Sequence, residues 1–248
     1  MSAPVELDIA WTRASWCSRV RGVLIRGVLG PLMDLYTRRR VVERERLADL
    51  TGAVVFVANH NSHMDTPLLL RTLPERWRRR TAVAAATDYF YDKRLKALAA
   101  SLAFGTVPLD RSSGAGVGAG QTAHLDRHIR AGGSLLMFPE GTRSHDGRVG
   151  RLRSGAALLA AAHRVPIVPI YVSGTRHAMP RGRRWLVFKS GLPGARHRIE
   201  IRFGNPISPQ AGERPSEVME RVRLFLAECG AQTEAEHRVR KARVRQPA

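Results

Sequence analysis

Short apolar runs alternate with helix-compatible segments along most of this 248-residue chain. The clearest apolar runs are VVFVA at 54–58 and SLLMF at 134–138, each too short for a helix of ordinary length. When strands alternate with helices, each helix returns the chain to the same edge of the sheet, which makes neighbouring strands parallel. We therefore predict an α/β fold with a mixed, largely parallel sheet flanked by helices.

The remaining elements of this pattern have weaker signals. Proline at 166 and at 169 argues against a central strand over the whole of the apolar run VPIVPIYV, because proline cannot donate to a ladder. We predict helices over KRLKALAASLA, 121–131, LRSGAALLAAAHR and 217–229, and strands or extended segments over TAVAAAT, FGTVPLD, VPIVPIYV, WLVFK and HRIEIRF.

The N-terminal region differs from the rest of the chain. In residues 9–36, Trp, Val and Leu side chains are interspersed with arginines, and Pro31 interrupts the run. We predict an N-terminal amphipathic helical pair. It suits the plane of a membrane interface, or it packs on the main domain with its arginines outward, and the two interpretations are compatible. The predicted domains are an amphipathic region at 1–46, an α/β domain at 47–230 and a basic, flexible tail at 231–248.

Charge restricts the partners of the chain. It has 41 Lys and Arg against 21 Asp and Glu, a net charge of +20. Such a chain favours a polyanion: nucleic acid, an anionic membrane surface or a phosphorylated substrate. A nucleic-acid-binding protein is the alternative from another class, but aromatic residues make up only 6%, no nucleic-acid-binding motif is present, and the basic residues are spread along the chain. We predict no bound nucleic acid.

A histidine and an aspartate follow the strand VVFVA at a spacing of five residues. His60 and Asp65 precede Pro67, which predicts a helix start, so both lie in a turn at a strand's end. A carboxylate on one imidazole nitrogen fixes the tautomer and leaves the other nitrogen as a base. Two alternatives stay open: a capped loop with exposed histidines, and a metal site formed with His63.

The segment FPEGTRS follows the strand SLLMF. Gly141 permits close backbone approach, and the side chains of Thr142 and Arg143 supply donors, which suits a phosphate. Glu140 is unusual beside an anion, and we expect it to order a neighbouring arginine or substrate hydroxyls. An ordinary surface turn with a salt bridge is the alternative.

Two further segments carry weaker signals. Arg111 ends the extended segment TVPLD and could clamp a phosphate bidentately, although most such arginines are simply solvated. Pro166 and Ile167 begin a semi-rigid apolar wall, whose default role is packing and whose functional role is to line an acyl slot.

Together these four segments, in this order, resemble the glycerophospholipid acyltransferase family that includes the 1-acylglycerol-3-phosphate acyltransferases. The resemblance covers about 54–171, with a compatible continuation to about 209. It comprises the His-x4-Asp block, the block ending in Arg111, the FPEGTRS block and the proline-containing block at 165–170. One block is modest evidence, whereas four in order are strong evidence.

The resemblance implies roles for these residues. His60 is the implied general base and Asp65 the residue that orients it. The implied acceptor site, which binds the substrate's phosphate, comprises Arg111, Glu140, Gly141, Thr142 and Arg143. Pro166 and Ile167 are implied to shape the region near the acyl donor.

The resemblance also implies the reaction. A fatty acyl group passes from acyl-CoA or acyl carrier protein, as co-substrate, to the free hydroxyl of 1-acylglycerol-3-phosphate, giving phosphatidic acid without a cofactor, a metal or a covalent acyl-enzyme. Another acceptor, such as a different lysophospholipid, glycerol 3-phosphate or another lyso-lipid, is the alternative. The family often has a Lys-x-Glu-Leu run where this chain has DYFYDK at 88–93, which leaves the acceptor open.

Location follows from the same observations. No secretory signal is visible in the first residues, and no run of about 18 uncharged apolar residues is present, so we predict no transmembrane helix. We expect a peripheral or monotopic protein on the cytoplasmic face of the cell membrane, held by the basic amphipathic helices on an anionic membrane surface.

Overall fold

The structure is a computed structural model that describes residues 15–86, 94–109, 123–144, 146–183 and 185–245. Its strands are β1 (Thr37–Val42), β2 (Val55–Ala58), β3 (Thr81–Ala86), β4 (Thr106–Leu109), β5 (Ser134–Met137), β6 (Ile167–Ser173) and β7 (His197–Phe203). Its helices are α1 (Ser15–Val23), α2 (Gly30–Tyr36), α3 (Asp65–Thr72), α4 (Glu75–Arg78), α5 (Arg94–Phe104), α6 (Ala123–Arg130), α7 (Gly155–His163), α8 (Thr175–Ala178) and α9 (Pro215–Arg245), with a π-helical turn at Leu24–Leu29 and 3₁₀ turns at Arg44–Leu47 and Lys189–Gly191.

One sheet contains all of these strands, in the order β1-β7-β6-β2-β5-β3-β4. Strands β2 to β6 are mutually parallel, β7 is antiparallel to β6, and β1 is parallel to β7. The predicted mixed, largely parallel α/β sheet flanked by helices is therefore confirmed. The carboxyl ends of β2 to β6 share one edge, called here the carboxyl edge, whereas β1 and β7 end at the opposite edge.

Both faces of the sheet are buried, which explains why its central strands are apolar without alternation. In β2, Phe56 packs toward α3 and the N-terminal helices, where its ring meets Trp77 edge to face at 5.8 Å. Val55 and Val57 pack on the other face beneath α6, α7 and α9. Each fully buried side chain of this size contributes about 1.5–3 kcal/mol relative to an exposed one, so the central strands position the loops at the carboxyl edge rigidly.

Helix α1, the π-helical stretch Leu24–Leu29 and α2 follow one another without a break as one helical segment, residues 15–36, called here the N-terminal segment. Two arginines fasten it to the domain. Arg21 of α1 donates to the carbonyl oxygens of Ser101 and Leu102 in α5, at 3.2 Å each. Arg71 of α3 donates to Gly30 O at 2.8 Å and forms a two-pronged ion pair with Asp34, at 2.8 and 2.6 Å. Pro31 lies inside this segment, shortly after the π-helical stretch, which is a feature that accommodates an interruption of the regular helical ladder.

Two elements lie at the joins between the predicted domains, whose boundaries stay a prediction. Strand β1 lies within the region 1–46 and is an edge strand of the main sheet, paired with β7. The segment 231–245 continues helix α9. The N-terminal segment is thus joined directly to the sheet.

One strand prediction was wrong. The run WLVFK is irregular and leads into the turn Lys189–Gly191, with Trp185 76% exposed rather than turned into the core. Strand β6 is central despite Pro169. The ladder between β6 and β7 is interrupted there: it runs from Ile170 to Ser173, Pro169 O accepts Gly204 N at 2.7 Å, and Ile167 pairs separately with Ile207. The missing proline N–H therefore falls at the interruption.

Gly174 closes the turn between β6 and α8, and we expect its replacement by alanine to be strongly destabilising. Its φ is +84°, and an added Cβ would lie 2.1 Å from the carbonyl oxygen of Arg198 in β7. Gly132→Ala is the matched control, because Gly132 has φ +78° and open space around it. The control should lose about 1–2 kcal/mol from the left-handed backbone alone, and Gly174→Ala about 1–3 kcal/mol more from overpacking, measured by urea unfolding. Equal losses would contradict this account.

Candidate active site

The loop that follows β2 at the carboxyl edge is held by two asparagine side chains. Asn59 Nδ2 donates to Val172 O at 2.9 Å, and Asn59 Oδ1 accepts Val172 N at 2.7 Å. Asn61 Nδ2 donates to the same carbonyl at 2.9 Å. Where β2 ends, these side-chain amides replace its backbone as the hydrogen-bond partners of β6. The chain can therefore turn sharply between Asn59 and the start of α3.

This turn brings His60 and Asp65 together. Asp65 is the first residue of α3 and is fully buried. Its Oδ2 lies 3.0 Å from His60 Nδ1 and accepts the backbone N–H groups of Asn61 and Ser62, at 2.7 Å each. A carboxylate at Nδ1 assigns the proton to that nitrogen and leaves Nε2 as the basic one. The imidazole ring also stacks on Phe138 at 4.3 Å, which fixes its plane.

Glu140 joins the His60 loop to the FPEGTRS segment after β5. Its Oε1 accepts the backbone N–H of His60 at 2.9 Å, and its Oε2 accepts that of Gly150 at 3.1 Å. Burial raises the pKa of Glu140, against the opposing effect of these two hydrogen bonds. Both carboxylate oxygens thus have backbone partners, so Glu140 fixes the loops around His60. Its predicted place in the acceptor site stays a prediction.

The rest of the FPEGTRS segment forms a tight turn beside His60. Gly141 has φ +72°, a left-handed conformation that favours glycine, and a Cβ there would lie 3.2 Å from the guanidinium of Arg153. Ser144 N donates to His60 O at 2.7 Å, so this segment lies against the His60 loop. Thr142 is exposed and Arg143 half-buried, which leaves both able to contact a ligand at this edge.

Three predicted site residues remain, namely Arg111, Pro166 and Ile167. Arg111 falls outside the described residues. Pro166 and Ile167 lie at the amino end of β6, where Pro166 O accepts Val55 N at 3.0 Å and Ile167 pairs with Val55. That is the opposite end of β2 from His60, and Ile167 is fully buried in the core. The structure does not bring these two residues to the histidine, and their role near the acyl donor stays a prediction.

Sequence reasoning missed the residues that support the pair His60 and Asp65, called here the dyad. Asn59 and Asn61 hold the loop, Ser62 donates its hydroxyl to Met179 O at 3.0 Å, and Phe138 stacks on the imidazole. The only signal in the sequence was the flanking of His60 by two asparagines, and it did not reveal their partner in β6. Within the part of the chain that the structure describes, no group of three or more His, Cys, Asp and Glu side chains is placed to hold a metal ion.

Comparison with known proteins gives the site a context. The family model described as Acyltransferase matches residues 38–173. The chain is 50% identical over 54 residues to a chloroplastic 1-acyl-sn-glycerol-3-phosphate acyltransferase of Brassica napus, a match that covers 22% of this chain and 16% of that protein. It is 28% identical over 168 residues to 1-acyl-sn-glycerol-3-phosphate acyltransferase alpha of Mus musculus, covering 68% of this chain and 54% of that protein. The chain thus spans about half or less of the length of these relatives.

A solved structure supports the fold. The crystal structure of the 1-acyl-sn-glycerophosphate acyltransferase of Thermotoga maritima matches with a TM-score of 0.66 and 19% identity, over 92% of this chain and 87% of that chain. At this identity the likeness concerns the arrangement of strands and helices.

Glu140 should give the folded protein a characteristic dependence on pH. Because burial raises its folded pKa above the ordinary 4.5, the unfolded chain loses this proton first as the pH rises. The stability that the protonated group contributes is present below about pH 4.5 and is lost as the pH rises through the folded pKa. The unfolding free energy of wild type minus that of Glu140→Gln should therefore fall between pH 4 and pH 7.

Glu217 provides a control of opposite sign. Its hydrogen bond to Arg214 lowers its pKa below the ordinary 4.5, so the difference between wild type and Glu217→Gln should rise as the pH increases toward about 4.5 and level off above it, with no fall toward pH 7. A wild-type-minus-Glu140→Gln difference that is flat, or that rises with pH, would show that the carboxylate is not held in a desolvated position.

Proposed function

The chain belongs to the acyltransferase family, and from this premise we propose that it moves a fatty acyl group from acyl-CoA or acyl carrier protein to the free hydroxyl of 1-acylglycerol-3-phosphate, giving phosphatidic acid. The observation that carries the proposal is the contact of His60 Nδ1 with the buried carboxylate of Asp65, at 3.0 Å, on the edge of the sheet where ligands bind in such folds. The printed names of the sequence relatives support the choice of acceptor.

In the proposed reaction, His60 acts as a general base. Nε2 takes the proton of the acceptor's hydroxyl while the hydroxyl oxygen attacks the thioester carbonyl carbon. The resulting tetrahedral intermediate breaks the C–S bond, and the thiolate leaves and recovers the proton from the imidazolium. An ester bond replaces the thioester bond, and the free histidine is regenerated.

Asp65 serves the same step through His60. Its carboxylate is desolvated and held by two backbone N–H groups, so it stabilises the imidazolium as it forms without having to reorient. No covalent acyl-enzyme is needed. Ser62, the hydroxyl closest to His60 in sequence, is engaged with Met179 O, and both cysteines are buried away from the loop.

The acceptor's phosphate is proposed to lie beside the FPEGTRS turn. Arg143 is half-buried next to the His60 loop, and a guanidinium there suits a phosphate oxygen. The family motif adds Arg111 as a further phosphate ligand. Gly141 keeps the turn open for close approach, whereas Glu140 is proposed to act by positioning the loops.

Turnover with defined substrates tests the activity and the acceptor together. Purified protein is incubated with palmitoyl-CoA or palmitoyl-acyl carrier protein and one acceptor: 1-acylglycerol-3-phosphate, lysophosphatidylcholine or glycerol 3-phosphate. Thiol release and the lipid product are followed. We expect phosphatidic acid from the first acceptor at the highest kcat/KM. Turnover only with another acceptor would retain the chemistry and overturn the choice of acceptor. Thiol release that occurs only when no acceptor is present would overturn both the acyl-transfer chemistry and the choice of acceptor.

In that assay, His60→Ala should lose about 10²–10⁴-fold in kcat, the contribution of a general base. Asp65→Asn should also lose kcat, because the amide cannot stabilise the imidazolium. The chain offers a matched control in a second histidine–carboxylate pair, His163 Nε2 to Asp126 Oδ1 at 2.7 Å. Asp126→Asn should leave kcat within about twofold, since surface changes away from the site have small effects. A normal kcat in folded His60→Ala would overturn the mechanism.

Attachment to a membrane surface is also proposed for this chain. The N-terminal segment exposes large apolar side chains in addition to its arginines, namely Trp16, Val20, Val23, Val28, Leu32 and Leu35. A second exposed apolar segment adjoins it: the loop with Trp185 at 76% and Leu192 at 63% exposure, whose Phe188 stacks on Tyr36 at the end of α2, at 4.3 Å. Exposed apolar residues beside basic ones favour an interfacial position. Among the described residues no helix combines the length and the apolar character needed to cross a membrane.

Binding to vesicles should depend on the apolar residues of the N-terminal segment. Val23→Ser with Val28→Ser removes two exposed apolar side chains, and we expect at least a tenfold loss of affinity for phospholipid vesicles, because burying each valine is worth about 1.5 kcal/mol. Leu224→Ser in α9, where Leu224 is 55% exposed, is the control and should bind normally. Co-sedimentation measures both. Binding should also weaken as the Debye length falls from about 30 Å at 0.01 M to 3 Å at 1 M salt. Equal binding by the two variants would contradict attachment through the N-terminal segment.

A further inference from the structure

A cavity rich in arginine lies at the edge of the sheet opposite His60. Its volume is about 320 Å³, and it is lined by Arg26, Arg39, Arg44, Arg71, Leu73, Pro74, Glu75 and Arg78. Helix α3 begins with Asp65 at the carboxyl edge and ends at Thr72, so the cavity residues that follow it lie about 10 Å or more from the dyad along the helix axis. Arg44 follows β1, which ends at this same opposite edge. The cavity is therefore separate from the site of acyl transfer.

Positive charge exceeds negative charge around this cavity. Arg71 is paired with Asp34, and the carboxylate of Glu75 is shared between Arg26, at 3.9 Å, and Arg79. Within the described part of the chain, the other three lining arginines have no carboxylate within ion-pair distance: Arg39, Arg44 and Arg78. Asp34 and Glu75 act on Arg39 and Arg78 only from farther away. These three arginines thus lack anionic partners of their own.

Two of these arginines have a buried donor nitrogen that is unused. Arg78 is only 8% exposed, and its Nε has no hydrogen-bond partner, nor has Nη1 of Arg39. Burial lowers the pKa of both guanidinium groups. The nearby positive charges of Arg71 and Arg44 lower the pKa of Arg39 further, and that of Arg26 lowers the pKa of Arg78. Unsatisfied charged donors in a cavity are unfavourable for the protein alone. A bound anion with several oxygens would satisfy the donors and offset the repulsion.

The position of the cavity indicates the source of the anion. Arg26 lines it and belongs to the N-terminal segment, where the exposed apolar residues Val23 and Val28 flank Arg26 in sequence. A phospholipid could place its phosphate in the cavity past Arg26 while its acyl chains contact these apolar side chains. We propose that this cavity binds the phosphate group of an anionic phospholipid in the membrane that the N-terminal segment contacts, separately from the acceptor at His60. The proposal rests on the membrane attachment proposed above and not on acyl transfer.

Vesicle binding by charge variants tests this lipid site. Arg39→Gln with Arg78→Gln is compared with wild type on phosphatidylcholine vesicles with and without phosphatidylglycerol, in flotation assays that need no acyl donor. Each cation near an anionic surface contributes roughly fivefold, so we expect a loss of about 25-fold on the anionic vesicles and little change on neutral ones. Arg127→Gln with Arg130→Gln in α6, on the other face of the sheet, removes the same charge and should bind like wild type.

A second pair of variants and a second measurement protect the test from misfolding. Arg26→Gln with Arg44→Gln changes exposed residues at the rim and should reproduce the loss. In phosphate-free buffer of low salt, the Arg39 and Arg78 variant should have a Tm at or above that of wild type, because unpaired buried cations have been removed. Inorganic phosphate should then raise the Tm of wild type more than that of the variant.

The outcomes separate the site from its alternatives. Equal loss by the cavity and α6 variants would overturn the lipid site, since charge alone would explain binding. If phosphate raises the Tm of wild type selectively while vesicle binding is unchanged in the cavity variants, the cavity takes a free anion and the lipid proposal is wrong. Wild type that binds neither kind of vesicle would overturn membrane attachment as well, whereas acyl transfer is measured independently of all these results.

Discussion

Asp65 is fully buried, and its Oδ2 accepts three hydrogen bonds at the point where β2 gives way to α3. A desolvated carboxylate is unfavourable unless its partners are fixed in place. Here two of them are backbone N–H groups of the turn itself, so the turn and the carboxylate stabilise each other. The third is the imidazole of His60, whose tautomer is assigned as a result. The geometry needed for a general base therefore depends on a structural hydrogen-bond network that the fold would require in any case.

The sheet order brings the second part of the site to this turn. Strands β2 and β5 are neighbours although about 80 residues separate them, so the segments that follow them meet at the carboxyl edge. Glu140 then joins the two by accepting the backbone N–H of His60, and Ser144 N donates to the carbonyl of the same residue. His60 is thus held through its ring and through both of its backbone polar groups. Such multiple support is what keeps a catalytic group within the narrow tolerance that its chemistry needs.

The net charge of +20 is used unevenly. Some arginines are structural: Arg21 and Arg71 fasten the N-terminal segment to α5 and α3 through carbonyl oxygens and Asp34. Others form ordinary surface pairs at the start of α9, such as Arg214 with Glu217, that contribute little. The group around Arg39 and Arg78 belongs to neither class, because its charges are concentrated, partly buried and short of carboxylates. The location of positive charge, rather than its amount, distinguishes these roles.

The sequence by itself determined the fold class, the strands at VVFVA and SLLMF, the helical character of the N-terminal region and the pairing of His60 with Asp65. These are local properties: apolar runs, proline positions, and a five-residue spacing within one turn. Only the tertiary structure decided that Glu140 accepts from His60, that Asn59 and Asn61 hold Val172, and that Pro166 and Ile167 lie at the opposite edge from the dyad. It also placed Pro169 in a central strand and gathered arginines from β1, α3, α4 and the N-terminal segment around one cavity. Those outcomes depend on strand order and on the direction of each strand, which join residues far apart in sequence and leave no local pattern to recognise.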